Sequence, residues 1–175
     1  MWGAPTYQVV LNGVVVATTP RASLRPATDV PDGVYPWKVV SVDRRGQPAE
    51  GSNRLLRVDS TPPTGLVSSV RTGSPGRTLR VGVTPRDLLG LPPGGVPPVG
   101  SPPALGSGVV KVSIAYGDGT RPFVRQSRRV LAKVRSEHVY RRAGSYTITV
   151  RLYDQAGNVG VLKHMVSIRR GGAEG

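Results

Sequence analysis

The sequence predicts an all-β protein built from two β-sandwich units in tandem, the first of them truncated. The first observation is an internal repeat: the stretches beginning at Gly33 and at Gly144 both read G-x-Y-x-Φ-x-V-x-x-x-D-x-x-G-N/Q, where Φ is apolar. Their starts are 111 residues apart, the spacing of a domain rather than of a hairpin. The second observation is that apolar and polar side chains alternate in both stretches, as in a half-buried antiparallel strand.

In the second copy the residues predicted to face the core are Tyr146, Ile148, Val150 and Leu152, since side chains alternate with period two. The first copy likewise places Tyr35, Trp37 and Val39 inward. Each tyrosine stands near the start of its strand, and its hydroxyl needs a hydrogen-bond partner. The repeat ends in a predicted turn, in which Asp43 and Asp154 occupy equal places. That equality favours a shared structural role.

We predict these boundaries: a partial unit at 1–60, a proline-rich linker at 61–64, a sandwich at 65–170 with a Pro/Gly-rich insertion at 88–108, and a flexible tail at 171–175. In the first unit Asn12-Gly13 predicts a hairpin turn, and 22–27 could form a further short strand. Too few strands follow for a full sandwich, so we expect truncation at the N-terminus or completion by a preceding segment, with Trp2 as a remnant. The insertion is too rich in proline for a central strand, and disorder is favoured.

Composition excludes some classes of site. The chain has no cysteine, which rules out zinc–cysteine sites, disulfides and thiol nucleophiles. No apolar run is long enough to span a bilayer, and no signal peptide is evident. The net charge of +14 comes mostly from 20 arginines, which fit either a solvated surface or contact with an anionic polymer.

A basic segment is the main candidate for binding. It comprises Arg121, Arg125, Arg128, Arg129, Lys133 and Arg135, with Arg141 and Arg142 beyond, and Glu137 is the acidic residue nearby. On a hairpin, alternate positions would gather several cations on one face, where they could hold phosphate or sulfate groups. A solvated face is the competing interpretation. Phe123 is the sole aromatic residue in 121–135, so base-stacking platforms are lacking and nucleic acid is disfavoured.

Catalytic and metal patterns are weak. The only histidines are His138 and His164, and no nucleophile elbow appears. We expect His138 and Tyr140 to be structural, with a ring nitrogen bonded near Asp118. Three acidic residues could lie near one end of the sandwich as calcium ligands, but turn capping is favoured because no calcium-loop pattern occurs; they are Asp87, Asp118 and Asp154. No cofactor is indicated.

Four motifs in the second unit follow one another in a known order. They are Tyr116-Gly117-Asp118-Gly119-Thr120, His138-Val139-Tyr140, Gly144-Ser145-Tyr146, and Val150 with Asp154-Gln155-Ala156-Gly157-Asn158. This unit resembles a PKD domain, an immunoglobulin-like β-sandwich. It departs from the family pattern in the insertion at 88–106 and in the basic stretch at 121–135. The first unit resembles fibronectin-III or bacterial immunoglobulin-like repeats, through Asn12-Gly13, Gly33-Val34-Tyr35 and the closing Val58-Asp59-Ser60-Thr61-Pro62-Pro63.

The resemblance implies a secreted or surface-displayed bacterial protein, in which such modules act as spacers, adhesion modules or carbohydrate-contacting accessories. We therefore predict a non-catalytic structural or adhesion module of a larger extracellular or cell-surface protein, whose partners include other β-sandwich repeats of the parent chain. The alternative is a module that binds carbohydrate or an anionic cell-wall polymer through the segment 121–142. An enzyme is the least favoured class.

Overall fold

The computed structural model describes residues 6–88 and 106–170, which form two compact units, 6–59 and 60–88 with 106–170. The all-β class is confirmed, because every regular element in the described residues is a strand. Trp2, residues 89–105 of the insertion predicted at 88–108, and the tail at 171–175 lie outside the described residues. Our predictions for them stay predictions.

Unit 1 contains five described strands in a single antiparallel sheet. They are β1 (Thr6–Leu11), β2 (Val14–Thr19), β3 (Gly33–Val42), β4 (Pro48–Glu50) and β5 (Arg54–Val58). Strand β1 lies between β2 and β3, and β3 also pairs with β4 and β5. The predicted hairpin turn between β1 and β2 is confirmed: Asn12 and Gly13 both have positive φ, 49° and 81°, as a two-residue turn of this kind requires.

Burial in unit 1 differs from the prediction. Tyr35 and Trp37 are half-buried, and the apolar residues that are buried, Val10 and Val40, lie on the opposite face of the sheet. The described strands of this unit form one sheet, so neither of its faces is the closed interior of a sandwich. The strand predicted at 22–27 was wrong, because no strand forms between β2 and β3. Its Pro26 lacks the amide hydrogen that a ladder needs.

Unit 2 is a β-sandwich of a five-stranded and a three-stranded sheet. Its strands are β6 (Thr64–Ser68), β7 (Thr72–Gly73), β8 (Thr78–Arg86), β9 (Val109–Ala115), β10 (Phe123–Gln126), β11 (Val134–Val139), β12 (Gly144–Asp154) and β13 (Val159–Ile168). The larger sheet has the order β10-β9-β12-β13-β7, and the smaller has the order β11-β8-β6. Pro63, from the predicted linker, is fully buried in this unit, so the linker's end belongs to the sandwich.

The core of unit 2 follows the predicted period of two. Ile148, Val150 and Leu152 of β12 are each 0 % exposed. They belong to one apolar cluster with Val81 and Val83 of β8, which comes from the other sheet. Burying a side chain of this size contributes about 1.5–3 kcal/mol relative to leaving it exposed. The two sheets are therefore held together by the alternate residues that the repeat marked.

The chain changes sheets between β10 and β11. Strand β10 is an edge of the larger sheet, and β11 is an edge of the smaller one. The connecting residues are bonded to the start of β9, because the amides of Ser127 and Leu131 donate to the carbonyls of Val110 and Val109. The two edge strands consequently border a gap along one side of the sandwich, and three cations of the basic segment line it.

Candidate functional site

The tyrosines of the repeat make the same local bond in both units. The hydroxyls of Tyr35 and Tyr146 each donate to the carbonyl oxygen four residues earlier, at 2.9 Å. Each ring lies over the glycine two positions before it. A Cβ at Gly33 would lie 2.9 Å from the ring carbon of Tyr35, and one at Gly144 would lie 3.5 Å from that of Tyr146. The G-x-Y pattern thus lets the tyrosine hydroxyl bond to the backbone just before its own strand.

The aspartates of the repeat also act alike. Asp43 Oδ1 accepts hydrogen bonds from the amides two and four residues later, both at 2.8 Å. Asp154 Oδ1 accepts from the amides three and four residues later, at 2.7 and 2.8 Å. Both carboxylates therefore satisfy backbone donors of the turn that ends the repeat, as side chains of this type do in Asx turns.

Between the sheets, the other motifs of unit 2 form one aromatic cluster. The ring of His138 stacks on Tyr116 with centroids 3.9 Å apart and meets Tyr140 edge-on at 4.7 Å. Tyr140 in turn stacks on Tyr146 at 4.3 Å, and its hydroxyl donates to the carbonyl of Tyr116 at 2.8 Å. The Nε2 atom of His138 lies 2.7 Å from Asp118 Oδ2.

Asp118 joins this cluster to its turn. Its Oδ1 accepts hydrogen bonds from the hydroxyl and the amide of Thr120, at 2.6 and 3.2 Å. Burial acts to raise the pKa of Asp118, but the hydrogen bonds from Thr120 and His138 outweigh it and hold that pKa below its ordinary value of 3.8. Burial is also the main cause that raises the pKa values of Tyr116 and Tyr140. The cluster therefore keeps an ionised carboxylate against two neutral phenols.

This cluster has the features of a structural brace. The His138 ring is covered by Tyr116 and Tyr140, and one of its nitrogens is occupied by Asp118, so a substrate has little access to it. A general base must reach the proton that it abstracts. The side chains of His138 and Asp118 are only 12 % and 13 % exposed.

The three candidate calcium ligands do not lie together. Asp154 pairs with the first residue of β9, whereas Asp118 follows the last, which puts them about 20 Å apart at the usual rise of a strand. Asp87 lies on the Asp154 side, where its Oδ2 accepts the amide of Gly108 at 2.6 Å. Carboxylate oxygens of Asp87 and Asp154 approach within 4.8 Å, but calcium takes six to eight oxygen ligands. The proposed trio is therefore not a common site.

The basic segment is divided by the crossing between sheets. All eight of its cations are exposed. Arg121 precedes β10, and Arg141 and Arg142 follow β11, at the end of the sandwich near Tyr146. Arg128 and Arg129 lie in the connection itself. Only Arg125, Lys133 and Arg135 lie together along the gap between the edge strands, where they line one groove.

This groove has a volume of about 420 Å³, within the range of small-ligand sites. Its apolar lining is Phe123, which packs against the core, and Val134, which is buried. Its polar lining, among the residues that the structure describes, is three cations and no acid. The arrangement can hold an anionic group beside an apolar ring face.

A second hollow lies on the smaller sheet. Gly82 of β8 pairs with Arg135 on one side and Ser68 on the other. A depression of about 470 Å³ lies at this position, and it is also lined by Arg80, Lys133 and Glu137. Sequence reasoning missed Ser68, Gly82 and Arg80. A half-buried glycine paired with an exposed serine on the neighbouring strand gives no signal until the register is known.

Comparisons with known proteins concern the fold. The PKD domain of an M14-like peptidase from Thermoplasmatales archaeon SCGC AB-540-F20 is similar at 18 % identity and a TM-score of 0.41, covering 62 % of this chain and 94 % of its own. Fibronectin(III)-like modules of Clostridium thermocellum CbhA give 12 % identity and a TM-score of 0.45 over 99 % of this chain and 83 % of their own. The SrpA adhesin of Streptococcus sanguinis gives 18 % identity and 0.39, over 65 % and 59 %.

The expected likeness to PKD and fibronectin-III-like domains is thus found among solved structures, as a likeness of fold alone. The sandwich architecture of unit 2 is shown by its own strand order and by the packing of its core. No protein-family model and no curated protein matches the sequence. Residues 6–88 and 106–170 contain no helix that could cross a membrane.

Proposed function

We propose that this chain is a non-catalytic structural or adhesion module of a larger secreted or cell-surface bacterial protein, acting as a spacer or interaction domain. The observation that carries this proposal is the use made of the motif residues. Tyrosines, aspartates and His138 bond to backbone groups and to one another, so they hold turns and strand ends. Their polar groups therefore stabilise the fold of the units.

A turnover assay tests the non-catalytic part. Purified protein is incubated with chromogenic glycosides, esters and peptides, beside the His138→Asn variant. We expect no turnover from either protein. Hydrolysis by the natural sequence that disappears in a folded His138→Asn variant would identify an enzyme and overturn the proposal.

A second candidate function is favoured by the cationic groove. In it, the module binds carbohydrate or an anionic cell-wall polymer through the segment 121–142. Arginine forks match carboxylate and sulfate geometry, and Arg125 and Arg135 lie beside the apolar ring of Phe123. At about 0.15 M salt, the interaction between exposed charges is largely screened beyond about 8 Å. Retention on heparin at that salt therefore supports direct contacts between the cations and the polymer. Absence of retention even at low salt removes this candidate.

A further inference from the structure

The groove and the hollow are parts of one surface. Lys133 and Arg135 line both of them, although the groove lies between the two sheets and the hollow lies on the smaller sheet. A cationic strip therefore passes around the edge strand β11. We define the strip as Arg125, Lys133 and Arg135 with the hollow's Arg80, Ser68 and Gly82.

The charges of the strip are largely uncompensated. Arg80 forms an ion pair with Glu137 at 3.0 Å, and both side chains are well exposed. In the described residues no carboxylate pairs with Arg125, Lys133 or Arg135, and Glu137 is the only acid between Gly119 and Tyr153. A ligand on the strip thus meets three cations that need not first release a partner.

From this arrangement we propose that the strip binds a linear acidic polysaccharide, whose carboxylate or sulfate groups repeat along the chain and occupy the groove and the hollow together. This inference rests on the second candidate function and names its ligand class. Two adjoining sites with shared cations suit a polymer with regularly placed anions, because linked contacts raise the apparent affinity of each. A single terminal anion would fill one site and leave the other empty.

The lining favours sugar over nucleic acid. Single-stranded nucleic acids bind on successive aromatic rings, but among the described residues that line the groove and the hollow the one aromatic residue is Phe123, which is itself half-buried. One ring suits the apolar face of one sugar, and the Ser68 hydroxyl can bond to sugar hydroxyls. Arg125 and Arg135 can each grip a carboxylate or sulfate with two parallel hydrogen bonds.

Binding to heparin fragments at about 0.15 M salt tests the site, with two charge-matched double variants. Lys133→Gln with Arg135→Gln removes the shared cations, whereas Lys163→Gln with Arg151→Gln removes one exposed lysine and one exposed arginine outside the segment 121–142. Because a hydrogen bond to a charged group contributes about 1.5 kcal/mol, we expect the first pair to weaken decasaccharide binding at least tenfold. The second pair should change it less than threefold. Equal losses would mean that the overall positive charge, and no site, attracts the polymer, and would overturn the proposal.

Ser68→Leu tests whether the hollow takes part, since it fills the depression from an exposed position without changing charge. It should weaken the decasaccharide several-fold and leave a disaccharide unaffected. If Ser68→Leu does not fold, Arg80→Gln replaces it with the same expectation. Unchanged decasaccharide binding in the folded variant would refute the two-site arrangement while leaving the second candidate function in place.

Further ligands define the class. Hyaluronan carries only carboxylates and heparin carries sulfates as well, so their comparison identifies the preferred anion. Neutral dextran should not bind. Single-stranded DNA of equal charge should bind more weakly than heparin at the same salt, and an equal or tighter affinity for DNA would overturn the choice of polysaccharide.

Discussion

Replacing Asp118 with asparagine should destabilise unit 2 and remove part of its dependence on acid. Asparagine has almost the same size, and its Oδ1 can still accept the hydrogen bonds of Thr120. The substitution changes the atom that faces His138 Nε2 at 2.7 Å from a charged acceptor to a donor. The change is therefore confined to one contact of the aromatic cluster.

The magnitude follows from the burial of that contact. The two side chains are 13 % and 12 % exposed, so water offers little compensation for the loss of the charged acceptor. A hydrogen bond to a charged group contributes about 1.5–3 kcal/mol. Taking about 2 kcal/mol, the Tm of a domain of roughly 100 residues falls by about 10 °C.

The pH dependence supplies a second readout. The pKa of Asp118 in the folded state is below its ordinary value of 3.8, so folding favours the carboxylate form. Its stabilisation is fully present above about pH 4 and is lost as the pH falls through the depressed pKa. The Asp118→Asn variant lacks this group, so the difference in Tm between the two proteins should shrink below pH 3.8.

Thermal unfolding followed by circular dichroism from pH 7 to pH 3 measures both effects. Glu137→Gln is the matched control, because it neutralises one carboxylate of an exposed ion pair whose contribution is at most about 1 kcal/mol. A fall in Tm no larger than that of the control, or a difference in Tm as large at pH 3 as at pH 7, would refute the reasoning.

Three further predictions concern local contacts, each measured by urea unfolding of the whole chain. Gly160→Ala should destabilise unit 2 by about 1–3 kcal/mol, because the new methyl group would collide with the carbonyl of buried Pro63; a neutral effect would contradict that packing. Tyr146→Phe should cost about 1 kcal/mol through its lost hydroxyl bond, whereas Tyr153→Phe, whose hydroxyl has no hydrogen bond to the described residues, should cost less; equal costs would contradict the assignment. Lys133→Gln with Arg135→Gln should change stability by no more than about 0.5 kcal/mol per residue, and a larger loss would show a structural role for these cations.

The strands of unit 2 could be predicted because alternation alone determines which side of a strand is buried. Ile148 and Val150 are separated by one residue, and any sheet with one covered face puts them inside. The same rule was insufficient for unit 1. The rule identifies the apolar face of β3, which carries Trp37, but does not show whether a second sheet covers that face. In the described strands the more deeply buried residue, Val40, lies on the opposite face.

The candidate site could be predicted only in part. The sequence contains the basic segment, but a count of cations does not show where the chain changes sheets. That crossing separates Arg128 and Arg129 from Arg135 and brings Arg125 beside it. Arg80 and Ser68 become part of the site because of the strand register, which depends on pairings between residues far apart in sequence.

The hydroxyl of each repeat tyrosine makes its hydrogen bond within its own segment, four residues back along the chain. The donor, the acceptor and the glycine under the ring all belong to one short segment of the chain. Core residues elsewhere can therefore change without removing this hydrogen bond. A designer could therefore move such a stretch, as a self-contained cassette, onto the entry of an unrelated strand. The same bond occurs in unit 1, whose described strands form one sheet, and in unit 2, whose core lies between two sheets. It therefore does not depend on the kind of core beneath it.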